Sequence, residues 1–190
     1  MPAVDEIAPD IYRISTFVPH VTPDGFTYNQ FLVRMWLEAA PDSQVAHGTL
    51  GCMLSLNDMC DRPPRPLAEG EVLDIGGKRL RQISTPHVPH GWEAQVLFEE
   101  TTGTLLCGDL FTQVGGGPAL TSDDLVEAAL AAEGMFHASC LAPSTPQTLR
   151  ALGDLNPATL AIMHGRSFQG DGRQALHDLA AGYEQLIASA

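Results

Sequence analysis

The stretch that decides the fold is Thr85–Phe111, TPHVPHGWEAQVLFEETTGTLLCGDLF. It carries two histidines three apart, His87 and His90, then a two-strand pattern, then Asp109 in a Gly-Asp-Leu-Phe turn. Pro86 and Pro89 flank the histidines. A residue before proline is pushed out of the helical region, so this segment is extended or turning. The two strands are Gln95–Glu99 and Thr104–Cys107, joined through Thr-Thr-Gly. A third histidine, His164, follows the apolar run TLAIM at 159–163. Histidine, aspartate and histidine, each just past a separate strand, are the donors that a metal site on a β-scaffold needs. Neutral imidazole is a common ligand of zinc and iron. A carboxylate at the tip of an apolar strand such as TLLCG is costly to bury unless paired, and a cation or a metal-bound histidine would pair it. Taken singly, each residue has a plainer reading. A histidine at a strand end is commonly a hydrogen-bonded structural residue, and an aspartate there a turn residue or helix cap.

Outward from this segment, the first half of the chain reads as strands. Ile11–Val18 and Phe26–Val33 are β-branched and aromatic runs separated by the turn TPDG, which predicts an opening hairpin. A short helical piece is expected near Arg34–Ala40, stopped by Pro41 and Asp42, and a brief strand over Gln44–His47. Residues 48–70 read as irregular, with RPPRP at 62–66 as a breaker run. Val72–Ile75 and Arg79–Ile83 flank a Gly-Gly turn and form another hairpin. The second half turns helical. Ser122 is the expected N-cap of a helix running to about Ala132 and ending at Gly134. Ser144-Thr145-Pro146 opens a second helix, closed by Gly153. Thr159–Met163 is a short strand. From Gly172 to the end, Leu176, Leu179, Ala180, Tyr183, Leu186 and Ile187 recur at helical spacing.

Composition sets outer bounds. The chain has 190 residues, 44% of them hydrophobic, which suits one domain with an ordinary core. A net charge of −13 with ten basic residues offers no Lys/Arg surface to phosphates, so neither nucleic acid nor an anionic membrane is an expected partner. No run approaches the roughly 20 apolar residues of a membrane span. The start, MPAVDEIAPDIY, is acidic where a signal peptide is basic, which gives a cytoplasmic expectation. Cys52, Cys60, Cys107 and Cys140 show neither CxxC nor zinc-finger spacing and read as plain thiols. Cys107, two residues before Asp109, is placed to line a pocket without ligating. Trp92 is placed to wall a pocket beside His90. His20, His47, His137 and His177 read as structural or solvated.

TPHVPHGW, GDLF and MHG, in this order, resemble the metallo-β-lactamase-like superfamily, closest to its flavodiiron and oxygen-binding di-iron branch. His90 and Asp109 are nineteen positions apart, and Asp109 and His164 are 55 apart, intervals that suit that branch. The likeness runs over about residues 8 to 188. It implies an α+β fold, an αββα-type β-sandwich with outer helices, truncated in its first half. It also implies that His90 ligates one metal, Asp109 bridges two, and His164 ligates the second. His87, at the place of the histidine in the superfamily's TPGH segment, is the rival to His90, either as a ligand or as a residue that orients one. By resemblance the cofactors are one or two divalent metal ions, iron or zinc, and head-to-tail pairing in the di-iron branch implies a homodimer. No flavin is expected.

The pattern departs from the superfamily at one point. Its first metal motif, H-x-H/E-x-D-H, should follow the opening hairpin, yet no HxH, HxE or HxD occurs between Asn29 and Ile83. The chain therefore reads as a single metallo-β-lactamase-like domain, 1–190, with an internal deletion near residues 33–36 of about 50–70 residues, judged against typical domain sizes. A catalytic metal wants about three protein ligands plus an open position. Without the first motif, each metal keeps one histidine and a share of Asp109. The expected function is a metal-dependent hydrolase or di-iron oxidoreductase impaired by an incomplete site. Its small-molecule substrate is unidentified. The alternatives are a non-catalytic binding or assembly module that kept the fold, and a structural α/β domain.

Overall fold

The computed structural model describes residues 3–33, 44–56 and 63–189. The helix expected near Arg34–Ala40, the deletion point at 34–36 and Cys60 lie outside the described residues.

Twelve strands and three long helices carry the described architecture. The first sheet is antiparallel, in the order β1 (Ala3–Ala8), β2 (Ile11–Val18), β3 (Phe26–Val33). The β2–β3 hairpin falls where the sequence places it. The strand β1 does not announce itself, because its AVDEIA carries two acids that are rare in strands; pairing with β2 overrides that local preference. Between the sheets' main segments, β4 (Ala46–Gly48) pairs in parallel with β5 (Arg65–Leu67). A single helical turn, α1 (Thr49–Gly51), and a π-type turn at Cys52–Leu56 follow β4. The region read as irregular thus contains a small ladder.

The second sheet has seven strands. Its members are β6 (Val72–Asp74), β7 (Arg79–Ser84), β8 (Gln95–Glu99), β9 (Thr104–Gly108), β10 (Leu120–Thr121), β11 (Thr159–Ile162) and β12 (Ser167–Gln169). Their spatial order is β10-β12-β11-β9-β8-β7-β6. β7, β8 and β9 form an antiparallel meander, and β11 lies parallel to β9. The ends of β7, β9 and β11 therefore emerge at the same edge of the sheet, which positions the site.

The helices are α2 (Val126–Phe136), α3 (Thr145–Gly153) and α4 (Gly172–Ser189). Helix α2 begins three residues later than Ser122 suggests, with Leu125 as its N-cap. The Asp124 carboxylate accepts the Val126 amide at 2.8 Å, a local turn that competes with helix and delays it. It also outlasts Gly134, ending at His137 in a left-handed conformation.

Alternation along the central strands splits the core into two layers. Leu105, Cys107, Leu160 and Ile162 point toward Leu149, Leu152, Leu176 and Leu179 of α3 and α4. The intervening Ala161, with Leu106, packs against Ile7, Ala8, Ile11 and Phe31 of the first sheet. β11 is thus buried on both faces, the physical reason for its unbroken apolar run. The result is a two-sheet sandwich with helices on the outer face of the larger sheet. Lys78 and Glu99 lock its far side. The ammonium donates to the Pro9 carbonyl at 2.5 Å and lies 3.9 Å from a carboxylate that is fully buried. Burial alone would raise the Glu99 pKa, but hydrogen bonds from the side chains and amides of Thr101 and Thr102 outweigh it and hold the group at about 2.

Candidate functional site

Three of the four residues singled out from the sequence meet at the shared strand edge. Asp109 follows β9 directly, His164 lies two residues past β11, and His90 sits in the loop between β7 and β8. His90 Nε2 is 2.6 Å from Asp109 Oδ2, and His164 Nε2 is 2.9 Å from Asp109 Oδ1. Each imidazole thus takes its own carboxylate oxygen.

The far nitrogens are fixed as well. His90 Nδ1 donates to the Ala138 carbonyl at 2.8 Å, in the loop after α2, and His164 Nδ1 donates to the Thr27 carbonyl on β3 at 2.8 Å. A backbone acceptor at Nδ1 directs Nε2 to the site, the orientation that metal-ligating histidines adopt. The His164 turn is clamped from the first sheet. Thr27 Oγ1 accepts the Gly165 amide at 2.6 Å, and Asn29 Nδ2 donates to the Ile162 and Gly165 carbonyls at 3.0 and 2.9 Å. Phe26 stacks on the His164 ring with centroids 4.5 Å apart, and Tyr28 meets it edge-on at 5.2 Å.

These contacts shift the titrations together. The hydrogen bond from His164, and then that from His90, hold the Asp109 carboxyl below its ordinary value against the opposing effect of burial. Burial would lower both histidines, but acceptors at both nitrogens outweigh it and raise them.

His87 does not join the site. Its Nδ1 accepts the Trp92 amide at 2.9 Å, and its ring lines a separate cavity of about 450 Å³ with Trp92, Leu50 and Glu93. Trp92 walls that neighbouring cavity, and not the one beside His90. Cys107 is wholly buried in the core, and burial pushes its thiol pKa up. The cavity beside Asp109, about 460 Å³, is lined in addition by Thr112, Glu133, Ser139, Phe136 and Tyr183. Sequence reading missed Thr27, Asn29 and Glu133. None of the three had a local signal, since β3 (FTYNQFLV) carries Thr27, Asn29 and Gln30 side by side with its apolar residues.

Among the described residues, no group of three or more His, Cys, Asp or Glu side chains is arranged to hold a metal ion. The reason is visible in the distances. Two ligands of one tetrahedral cation at about 2.0–2.1 Å stand about 3.3 Å apart, whereas these nitrogen–oxygen pairs are in hydrogen-bond contact at 2.6 and 2.9 Å. The donors fit a metal in type and direction; in spacing and number they do not.

No family model matches the chain, and no curated protein matches it in sequence. Solved structures do match. The chain is similar to a mutant of the flavo di-iron protein from Thermotoga maritima at TM-score 0.74 and 16% identity, covering 96% of this chain and 61% of that one. Rubredoxin oxygen:oxidoreductase from Desulfovibrio gigas matches at TM-score 0.71 and 15% identity, with 96% and 62% covered. A metallo-β-lactamase from Pontibacter korlensis matches at TM-score 0.64 and 13% identity, with 95% and 99% covered. The chain therefore has the metallo-β-lactamase-like fold, and flavodiiron proteins are among the structures that share it. It spans about three fifths of the length of those flavodiiron chains.

Proposed function

We propose that this is a metallo-β-lactamase-fold protein whose His90–Asp109–His164 array is a reduced two-cation centre that loads divalent iron or zinc weakly, with hydrolytic or oxygen chemistry impaired. One observation carries this reading: the Asp109 carboxylate gives one oxygen to each of two imidazoles whose outer nitrogens are anchored on backbone carbonyls. His90, Asp109 and His164 would be the residues to hold a divalent cation. A bound cation would supply Lewis acidity at the cavity. Among the described residues each cation finds one imidazole and one carboxylate oxygen, short of the three protein ligands of a catalytic site.

Elemental analysis after equilibration with Zn²⁺ or Fe²⁺ and gel filtration tests the proposal. Substoichiometric metal that disappears in Asp109→Ala is the expected result. Two tightly held ions per chain would overturn the impairment, and retained metal in Asp109→Ala would overturn the site. The second reading, a non-catalytic binding module that kept the fold, is favoured by the 460 Å³ cavity beside the array, lined by aromatic side chains together with Glu133, Ser139 and Tyr183.

A further inference from the structure

The wall of this cavity carries a group that the metal reading does not use. Glu133, on α2, is 8% exposed and lines the cavity. Both of its oxygens share one donor, the Ser139 amide, at 3.2 and 3.1 Å. Among the described residues lining the cavity there is no Lys or Arg. The basic groups there are His90 and His164, whose ring nitrogens are already taken by Ala138, Thr27 and Asp109; the Glu133 charge acts on His90 through space and helps raise its pKa. A carboxylate so enclosed, whose one donor among the described residues is an amide, gains from a cation placed directly against it.

The groups around Glu133 can take the same ligand. Ser139 Oγ and the Tyr183 hydroxyl are 3.2 Å apart; one O–H donates to the other oxygen, which leaves one O–H and further lone pairs, so the pair is able to accept from an ammonium. Toward solvent stand the exposed rings of Tyr28 and Phe136, and the buried Phe26, one face stacked on His164, meets both at centroid distances of 5.4 and 5.5 Å. Aromatic faces cover hydrocarbon and attract cations, while they offer anions nothing. The chain's net charge of −13 draws cations toward every opening.

We infer that this cavity is a binding site for a small organic ammonium with an aromatic or apolar body, its charged head on Glu133 and Tyr183 and its body against the aromatic mouth. The inference rests on reading this cavity as the working site, though not on metal being present.

The test uses the full metal-free chain and three probes of matched shape: 2-phenylethylammonium, 2-phenylethanol and 3-phenylpropionate, followed by calorimetry or amide chemical shifts. The ammonium should bind about tenfold or more tighter than the alcohol, with the carboxylate weakest. Glu133→Gln should erase the preference of ammonium over alcohol. Equal binding of ammonium and alcohol, tighter binding of the carboxylate, or an unchanged preference in a folded Glu133→Gln would overturn the inference. If that variant does not fold, the probe ranking in the native chain and in Tyr183→Phe decides. Metal content is read separately, so a chain that takes no metal yet prefers the ammonium refutes the metal centre alone. A chain that loads metal without that preference refutes only the ammonium site.

Discussion

The His164 imidazole, carried by the larger sheet, donates from Nδ1 to the Thr27 carbonyl of the smaller sheet across 2.8 Å. The same threonine takes the Gly165 amide on its hydroxyl at 2.6 Å. One residue of β3 thus sets both the tautomer of a site histidine and the turn that presents it.

Thr27→Val keeps the shape of the side chain and removes the hydroxyl acceptor. The Gly165 amide is then left buried without a partner, at a cost of about 1–3 kcal/mol. Urea denaturation should show that loss at an unchanged slope, and metal uptake should fall with it because His164 loses its support.

The two histidines should act separately on metal content. His90→Ala and His164→Ala each remove one imidazole from a different oxygen of Asp109, so each variant should keep part of the metal that Asp109→Ala loses entirely. Elemental analysis of the three variants side by side checks this order.

His87→Ala should leave metal content unchanged. Its ring accepts the Trp92 amide and faces the neighbouring cavity, away from Asp109. A loss of metal comparable to that in His90→Ala would reverse the assignment between the two histidines.

Glu99 gives a pH dependence with a defined sign. Its pKa falls from the model-peptide value of 4.5 to about 2 in the fold, so it stabilises the fold fully above 4.5, and that stability is lost as pH drops toward 2. The shift corresponds to about 3 kcal/mol. Denaturation of the native chain and Glu99→Gln should differ by an amount of this order at pH 7 and converge near pH 2.

Features that depended on neighbouring residues were legible in the sequence. TLLCG and TLAIM announce buried strands because both faces are covered, and the residues following them, Asp109 and His164, are polar where the strand pattern ends. The His90 loop was legible through its prolines, although the choice between His87 and His90 was not. The Trp92 amide, eight residues past the end of β7, and the Ala138 carbonyl in the loop after α2 decide that choice. Thr27 reaches a residue 137 positions away, and Glu133 sits in an alanine-rich helix with nothing local to mark it. The late start of α2 was missed because Asp124, two residues past the expected cap, closes a turn of its own.

The clasp between β3 and the Met163–Gly165 turn makes the seam between the sheets and the imidazole's alignment one cooperative unit. Any excursion that parts the sheets releases the ring in the same event. Deuterium uptake at the Gly165 amide therefore serves as a clock for how often the site falls apart, readable without a substrate or a metal.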